Sequence, residues 1–199
     1  MSKERLTAFT DAVLAIAMTI LVLELKQPAH ATWSAIWDLK QSYLAYFISF
    51  VGLMIMWNNQ HHIFQLVHKI DGRVLWANGL MLFSASFFPY ATKFVDEHFF
   101  SSTAELFYGF VFLLLSIGYF SVDLALIKAD PDNKKLRYAI NRPVKIVADF
   151  GTKILGLFIG IWFPPAVIFS TFIAMMIWFV PERRVEQEFD QFDQSHHKS

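Results

Sequence analysis

The chain has 199 residues, 55% of them apolar and only 17% charged, with zero formal net charge and a mean hydropathy of +0.41. This balance excludes an ordinary soluble domain and indicates a polytopic helical membrane protein. With no cysteine, disulfides and thiolate metal sites are excluded as well.

In chain order the sequence predicts six apolar spans. The first runs from Leu6 to Leu25. It is too long for a signal-peptide core, and no small-residue cleavage pattern follows it. The second, Ser42 to Val67, is apolar at its start and polar at its end, closing in "WNNQHHIFQLV". The third covers Val74 to Phe94 and the fourth Ala104 to Ile127. The fifth, Val144 to Phe163, contains Asp149 and Lys153; the sixth, Pro165 to Val180, is short and stops at Pro181. Helix is the only sensible conformation for such spans, because an open strand leaves its backbone unpaired in lipid.

Two links are long. Lys26 to Gln41 carries Trp33 and Trp37, which suit a membrane interface. Lys128 to Pro143 contains the turn signal Asp130-Pro131-Asp132-Asn133. The chain therefore divides into a six-helix membrane domain, residues 1–181, and a charged tail, residues 182–199. If the N-terminus is cytoplasmic, thirteen Lys and Arg residues fall on that side and three (Lys26, Lys40 and Lys93) on the other. The asymmetry predicts that both termini are cytoplasmic.

That topology brings several polar residues to one depth. Asp11 lies near the cytoplasmic end of the first helix. Trp57, Asn58, His61 and His62 lie late in the second, and Trp76 and Asn78 early in the third. An intramembrane carboxylate needs donors close by, and an indole, an amide or an imidazole can serve. A structural clamp between helices and a part in gating are both open readings.

The first helix has a second property. At ~100° per residue, Ile16, Thr19, Ile20 and Leu23 share a face, and Asp11 points away from it. A track of Ala8, Ala12, Ala15 and Thr19 runs alongside and permits close helix approach. Such a stripe is ordinarily a lipid or helix contact, and periodicity alone does not make it a pore. Asp149 and Lys153, four residues apart, are placed to pair within the fifth helix. His61 and His62 lack a matching partner for haem or metal and read better as a pH-responsive element. No metalloprotease, nucleophile-elbow or phosphate-loop motif is present, so an enzyme reading has no support. The carbonyl-filter sequence of ordinary potassium channels is missing too.

"RLTAFTD", residues 5–11, resembles the RxxxFSD signature at the start of helix one in the potassium channels related to transmembrane protein 175. The resemblance extends over nearly the whole chain, through "WNNQHH" and "NGLMLFSASFFPY". Thr10 stands where the family usually has Ser, which keeps the hydroxyl. The resemblance implies an all-α, leak-type, potassium-selective channel, a homotetramer with helix one lining a central pore. It implies a polar network of Arg5, Thr10 and Asp11 with late helix-two and early helix-three residues: Trp57, Asn58, His61, His62 and Asn78. It also implies a constriction of side-chain rings at Ile16, Thr19, Ile20 and Leu23, the stripe that periodicity picks out. No cofactor is expected beyond the permeant potassium ion, and no partner beyond lipid and copies of the chain, nucleic acid included. A single-unit chain fits a prokaryotic cell membrane. The competing expectation is a proton-coupled secondary transporter or permease, motivated by Asp11, the two histidines and the Asp149–Lys153 pair.

Overall fold

A computed structural model describes residues 2–179, and all regular structure among them is helical. The charged tail and its boundary at residue 181 lie outside the described residues. The helices are α1 (Lys3–Leu23), α2 (Trp33–Asp38), α3 (Lys40–Leu66), α4 (Gly72–Ser86), α5 (Phe88–Glu97), α6 (Ser102–Ala129), α7 (Lys134–Ile140), α8 (Pro143–Gly160) and α9 (Ala166–Phe179).

The six expected spans correspond to α1, α3, α4 with α5, α6, α8 and α9. Two details differ from the sequence reading. The third span is interrupted at Phe87, because Pro89 in the first turn of α5 has no N–H to continue the ladder. The two long links each contain a short helix, capped by Thr32 in α2 and by Asn133 in α7. Three stretches among the described residues are long and apolar enough to cross a bilayer: Lys3–Leu23, Gly72–Glu97 and Ser102–Ala129. The 27-residue α3 carries a polar second half, α8 holds Asp149 and Lys153, and α9 has 14 residues.

Leu14, Leu21, Ile48, Leu53, Met81 and Leu126 form the centre of one continuous apolar core. Helices α4 and α6 pack closely because Gly118 has no side chain. A Cβ there would stand 2.7 Å from the Met81 backbone. Gly156 and Gly160, four apart on α8, likewise admit Ser170 and Val167 of α9. Helix α1 lies against α3, α4 and α5. It buries Leu6, Thr10, Leu14, Ala17 and Leu21, one stripe at helical spacing, and leaves its opposite face uncovered. At its far end Lys93 pairs with Glu24 at 2.7 Å, tying α5 to the last turn of α1.

Candidate functional site: the two faces of α1

The uncovered face of α1 is apolar. Ile16 is 58% exposed and Leu23 79%, whereas Leu14 and Leu21 on the other side are almost fully buried. Ile20, Phe9 and Thr19 share the exposed side, as do Ala8, Ala12 and Ala15. The Thr19 hydroxyl donates to the Ile16 carbonyl at 2.9 Å. Its proton is engaged within the helix, and its oxygen is left as an acceptor.

The covered face is anchored by polar bonds to α3 and α4. Trp57 Nε1 donates to Asp11 Oδ1 at 2.8 Å. Thr10 Oγ1 donates to the Leu6 carbonyl and accepts from Asn78 Nδ2, each at 2.9 Å. Asn78 Oδ1 in turn accepts from Gln60 Nε2 at 3.0 Å. Thr10, Gln60 and Asn78 are all buried, so one chain of bonds joins α1, α4 and α3 inside the bundle. The His61 ring stacks on Trp57 with centroids 5.5 Å apart.

The remaining residues expected in this layer lie elsewhere. Arg5 and Asn58 are exposed, and among the described residues their side chains join none of these bonds. His62 is exposed and meets the edge of the His61 ring. Trp76 is 84% exposed. The reason is helical register: Trp57, Gln60, His61 and Phe64 face α1, while Asn58 and His62 sit one position beyond Trp57 and His61 and turn outward. Gln60 is the member that sequence reading passed over. It stands inside "WNNQHH", and nothing local distinguishes it from Asn58 or Asn59.

Two further polar groups bear on how the helices are held. Lys153 Nζ lies 2.8 Å from both oxygens of Asp149 and 2.5 Å from Ser116 Oγ. Trp178 Nε1 and Ser116 Oγ also donate to Asp149, at 3.2 and 3.1 Å. At the foot of the bundle Lys3 Nζ donates to the Val67 carbonyl at 2.8 Å, and Asn133 Nδ2 to the Leu66 carbonyl at 2.7 Å. Asp130 accepts from Asn133 and from the His68 backbone, and these bonds hold its carboxyl below the usual carboxylate range.

This arrangement of helices and contacts has counterparts. The family model described as "Endosomal/lysosomal potassium channel TMEM175" matches residues 5–89, which span α1, α3, α4 and the start of α5. A potassium channel of Chryseobacterium sp. (strain P1-3) is 36% identical over 187 residues, 94% of this chain and 97% of that protein. The chain belongs to the TMEM175 family. The crystal structure of a lysosomal potassium-selective channel TMEM175 homologue from Chamaesiphon minutus superposes with a TM-score of 0.65 at 28% identity. It covers 88% of this chain and 97% of that one. The TMEM175 of Gallus gallus, described as an endosomal/lysosomal proton channel, is 32% identical over 109 residues but is matched over only 22% of its length. The matched region of the family model holds both faces of α1 and the α3 and α4 residues bonded to it.

Proposed function

We infer that this chain is a potassium channel, not an enzyme, and that it conducts through a pore lined by α1 in a homotetramer. Membership of the TMEM175 family and two relatives named for potassium support the permeant ion. One observation carries the pore assignment. Helix α1 is long and apolar, yet the subunit covers only its polar-anchored side and leaves Ile16, Thr19, Ile20 and Leu23 on the other. Four copies meeting on that face would bury it, and the alanine track beside it allows the helices to come close.

Such a pore has rings of Ile16, Ile20 and Leu23 at its neck, with Thr19 hydroxyls between them. Isoleucine and leucine do not coordinate a cation. They make a narrow apolar constriction that a cation crosses only by shedding part of its water, and that gates by dewetting. Potassium holds its water less tightly than sodium and so loses less at the neck. Thr19 offers acceptor oxygens to the ion or its remaining shell. Thr10, Asp11, Trp57, Gln60, His61 and Asn78 form the supporting polar layer, not the ion site.

The membrane arrangement belongs to the same proposal. Both termini in the cytoplasm follow from the Lys and Arg distribution over six spans, and the bacterial potassium channels among the relatives support a prokaryotic cell membrane. The test is ion flux from liposomes containing the purified chain. Potassium flux exceeds sodium flux, and Ile16→Asn and Leu23→Ala each change conductance or the potassium-to-sodium ratio. Unchanged flux in both variants removes α1 as the filter. A second reading, proton-coupled transport, draws on the buried Asp149–Lys153 pair. Saturable solute uptake that follows a proton gradient favours it; ion flux without saturation opposes it.

A further inference from the structure

Two buried polar atoms on α3 have no hydrogen-bond partner among the described residues: Gln60 Oε1 and His61 Nδ1. Both residues line one small cavity between α1 and α3, together with Thr7, Asp11 and Trp57. Buried polar atoms of native proteins are nearly always paired, so two orphans facing one cavity call for an occupant.

Size and chemistry narrow that occupant. The cavity is about 10 Å³. One ordered water needs roughly 10–15 Å³ and two to four polar partners. Gln65 Nε2 donates to His61 Nε2 at 3.0 Å, which places the ring proton on Nδ1. Gln60 Nε2 is already engaged with Asn78, so its carbonyl oxygen is the free end of that amide. Asp11 Oδ1 takes the Trp57 indole, and the carboxylate keeps further acceptor capacity. The walls therefore present one donor, His61 Nδ1–H, and the acceptors Gln60 Oε1, the Asp11 carboxylate and Thr7 Oγ1, whose proton goes to the Lys3 carbonyl. A water molecule matches that set, accepting once and donating twice. A bare cation does not, because it cannot accept a hydrogen bond from the imidazole N–H.

We propose that this cavity is a binding site for a single ordered water, which accepts from His61 Nδ1–H and donates to Gln60 Oε1 and to the Asp11 carboxylate. The water makes a further tie between the foot of α1 and α3, beside the direct Asp11–Trp57 bond, the bonded chain through Thr10, Asn78 and Gln60, and the Lys3–Val67 bond. It also joins those two otherwise separate bond systems into one. The site lies within a single subunit and does not depend on how subunits assemble or which ion passes.

The first test is an experimental structure of the full chain at a resolution that orders water, determined in potassium and again in rubidium. The expected result is a peak about 2.7–3.2 Å from His61 Nδ1, Gln60 Oε1 and an Asp11 oxygen, with no rubidium anomalous signal. A rubidium peak there replaces the water with a cation site and overturns the proposal. So does a cavity without density. The second test compares thermal midpoints of His61→Phe, Gln60→Met and the double variant. Each single substitution lowers the midpoint, and the double falls short of the summed loss, because both singles remove the same water. Strictly additive losses overturn the shared site. Potassium flux is not the readout, so failure here leaves the channel assignment standing.

Discussion

Two carboxylates on the membrane helices, buried Asp149 and half-buried Asp11, are handled in opposite ways. Asp149 is saturated with donors: Lys153 neutralises it through both oxygens and Ser116 and Trp178 also donate to it, although the pair lines a cavity of about 70 Å³. Asp11 has one neutral donor, the Trp57 indole, and faces a cavity shared with Gln60 and His61. The first is a self-contained ion pair holding α6, α8 and α9 together. The second is a partly satisfied anchor on the helix assigned to the pore. The difference teaches that a charged residue in a membrane span is not by itself a transport site. What matters is whether its bonding capacity is already used and which helix it restrains.

The comparison is broken most severely at Lys153. Lys153→Met leaves Asp149 as an uncompensated buried charge, and removing one partner of such a pair costs about 3–5 kcal/mol. The expected outcome is loss of folded protein, read as detergent-solubilised yield and thermal midpoint by fluorescence-detected gel filtration. The paired change Asp149→Asn with Lys153→Met recovers most of that loss. If the single and double variants are equally damaged, the pair is not neutralising itself.

Asp11→Ala has the next largest effect. It strands the Trp57 indole and the groups around the cavity, at about 1–3 kcal/mol for a buried donor left unpaired. Assembly on gel filtration weakens, while the potassium-to-sodium flux ratio of surviving protein stays put. An altered ratio with intact assembly would place Asp11 in the ion path instead.

Thr10→Val is smaller. It leaves the buried Asn78 amide without its acceptor with little change of volume, at about 1–3 kcal/mol for that one stranded donor. Thr10→Ser keeps the bond and stays close to the parent in thermal midpoint. Equal loss in both variants would make the methyl group, not the hydroxyl, the important part.

The smallest effect is at Asp130, outside the membrane spans. Its folded pKa is lowered by Asn133 and the His68 backbone from the ordinary value of 3.8. A carboxyl so depressed contributes stability that is present above its unfolded pKa and is lost as pH falls through the folded value. Asp130→Asn therefore flattens the acid end of the stability profile, below pH of about 4, and leaves its slope near neutrality unchanged. Thermal midpoints taken across pH 2–7 (roughly the range of carboxylate titration) check this.

Much of the candidate site was readable before any coordinates. Helical periodicity alone separates Ile16, Thr19, Ile20 and Leu23 from Asp11, because a 3.6-residue repeat assigns each residue its bearing on α1. The i,i+4 spacing of Asp149 and Lys153 likewise places them on one face. Both inferences concern residues on the same helix, where geometry is local. Gln60 was not readable for the opposite reason. Four consecutive polar residues, Asn58 to His61, offer themselves to α1, and only the rotation of α3 about its own axis selects among them. His62 and Trp76 were expected beside Asp11 on depth, and depth says nothing about bearing; Arg5 was expected there through the family resemblance.

The amino-acid sequence by itself determined the class and the separation of an apolar face from a polar-anchored face on α1. Apolar runs long enough for a bilayer, the Lys and Arg asymmetry, and the RLTAFTD segment running into an apolar stripe are one-dimensional patterns with one-dimensional causes. Tertiary structure decided the partners. Ser116 and Trp178 reach Asp149 from two other helices, Asn78 reaches Thr10 across 68 residues, and Pro89 sets where α4 gives way to α5. Those choices depend on how close two helices approach and how each is rotated. Glycines such as Gly118, and the packing of residues distant in the chain, control that, and no local pattern encodes it.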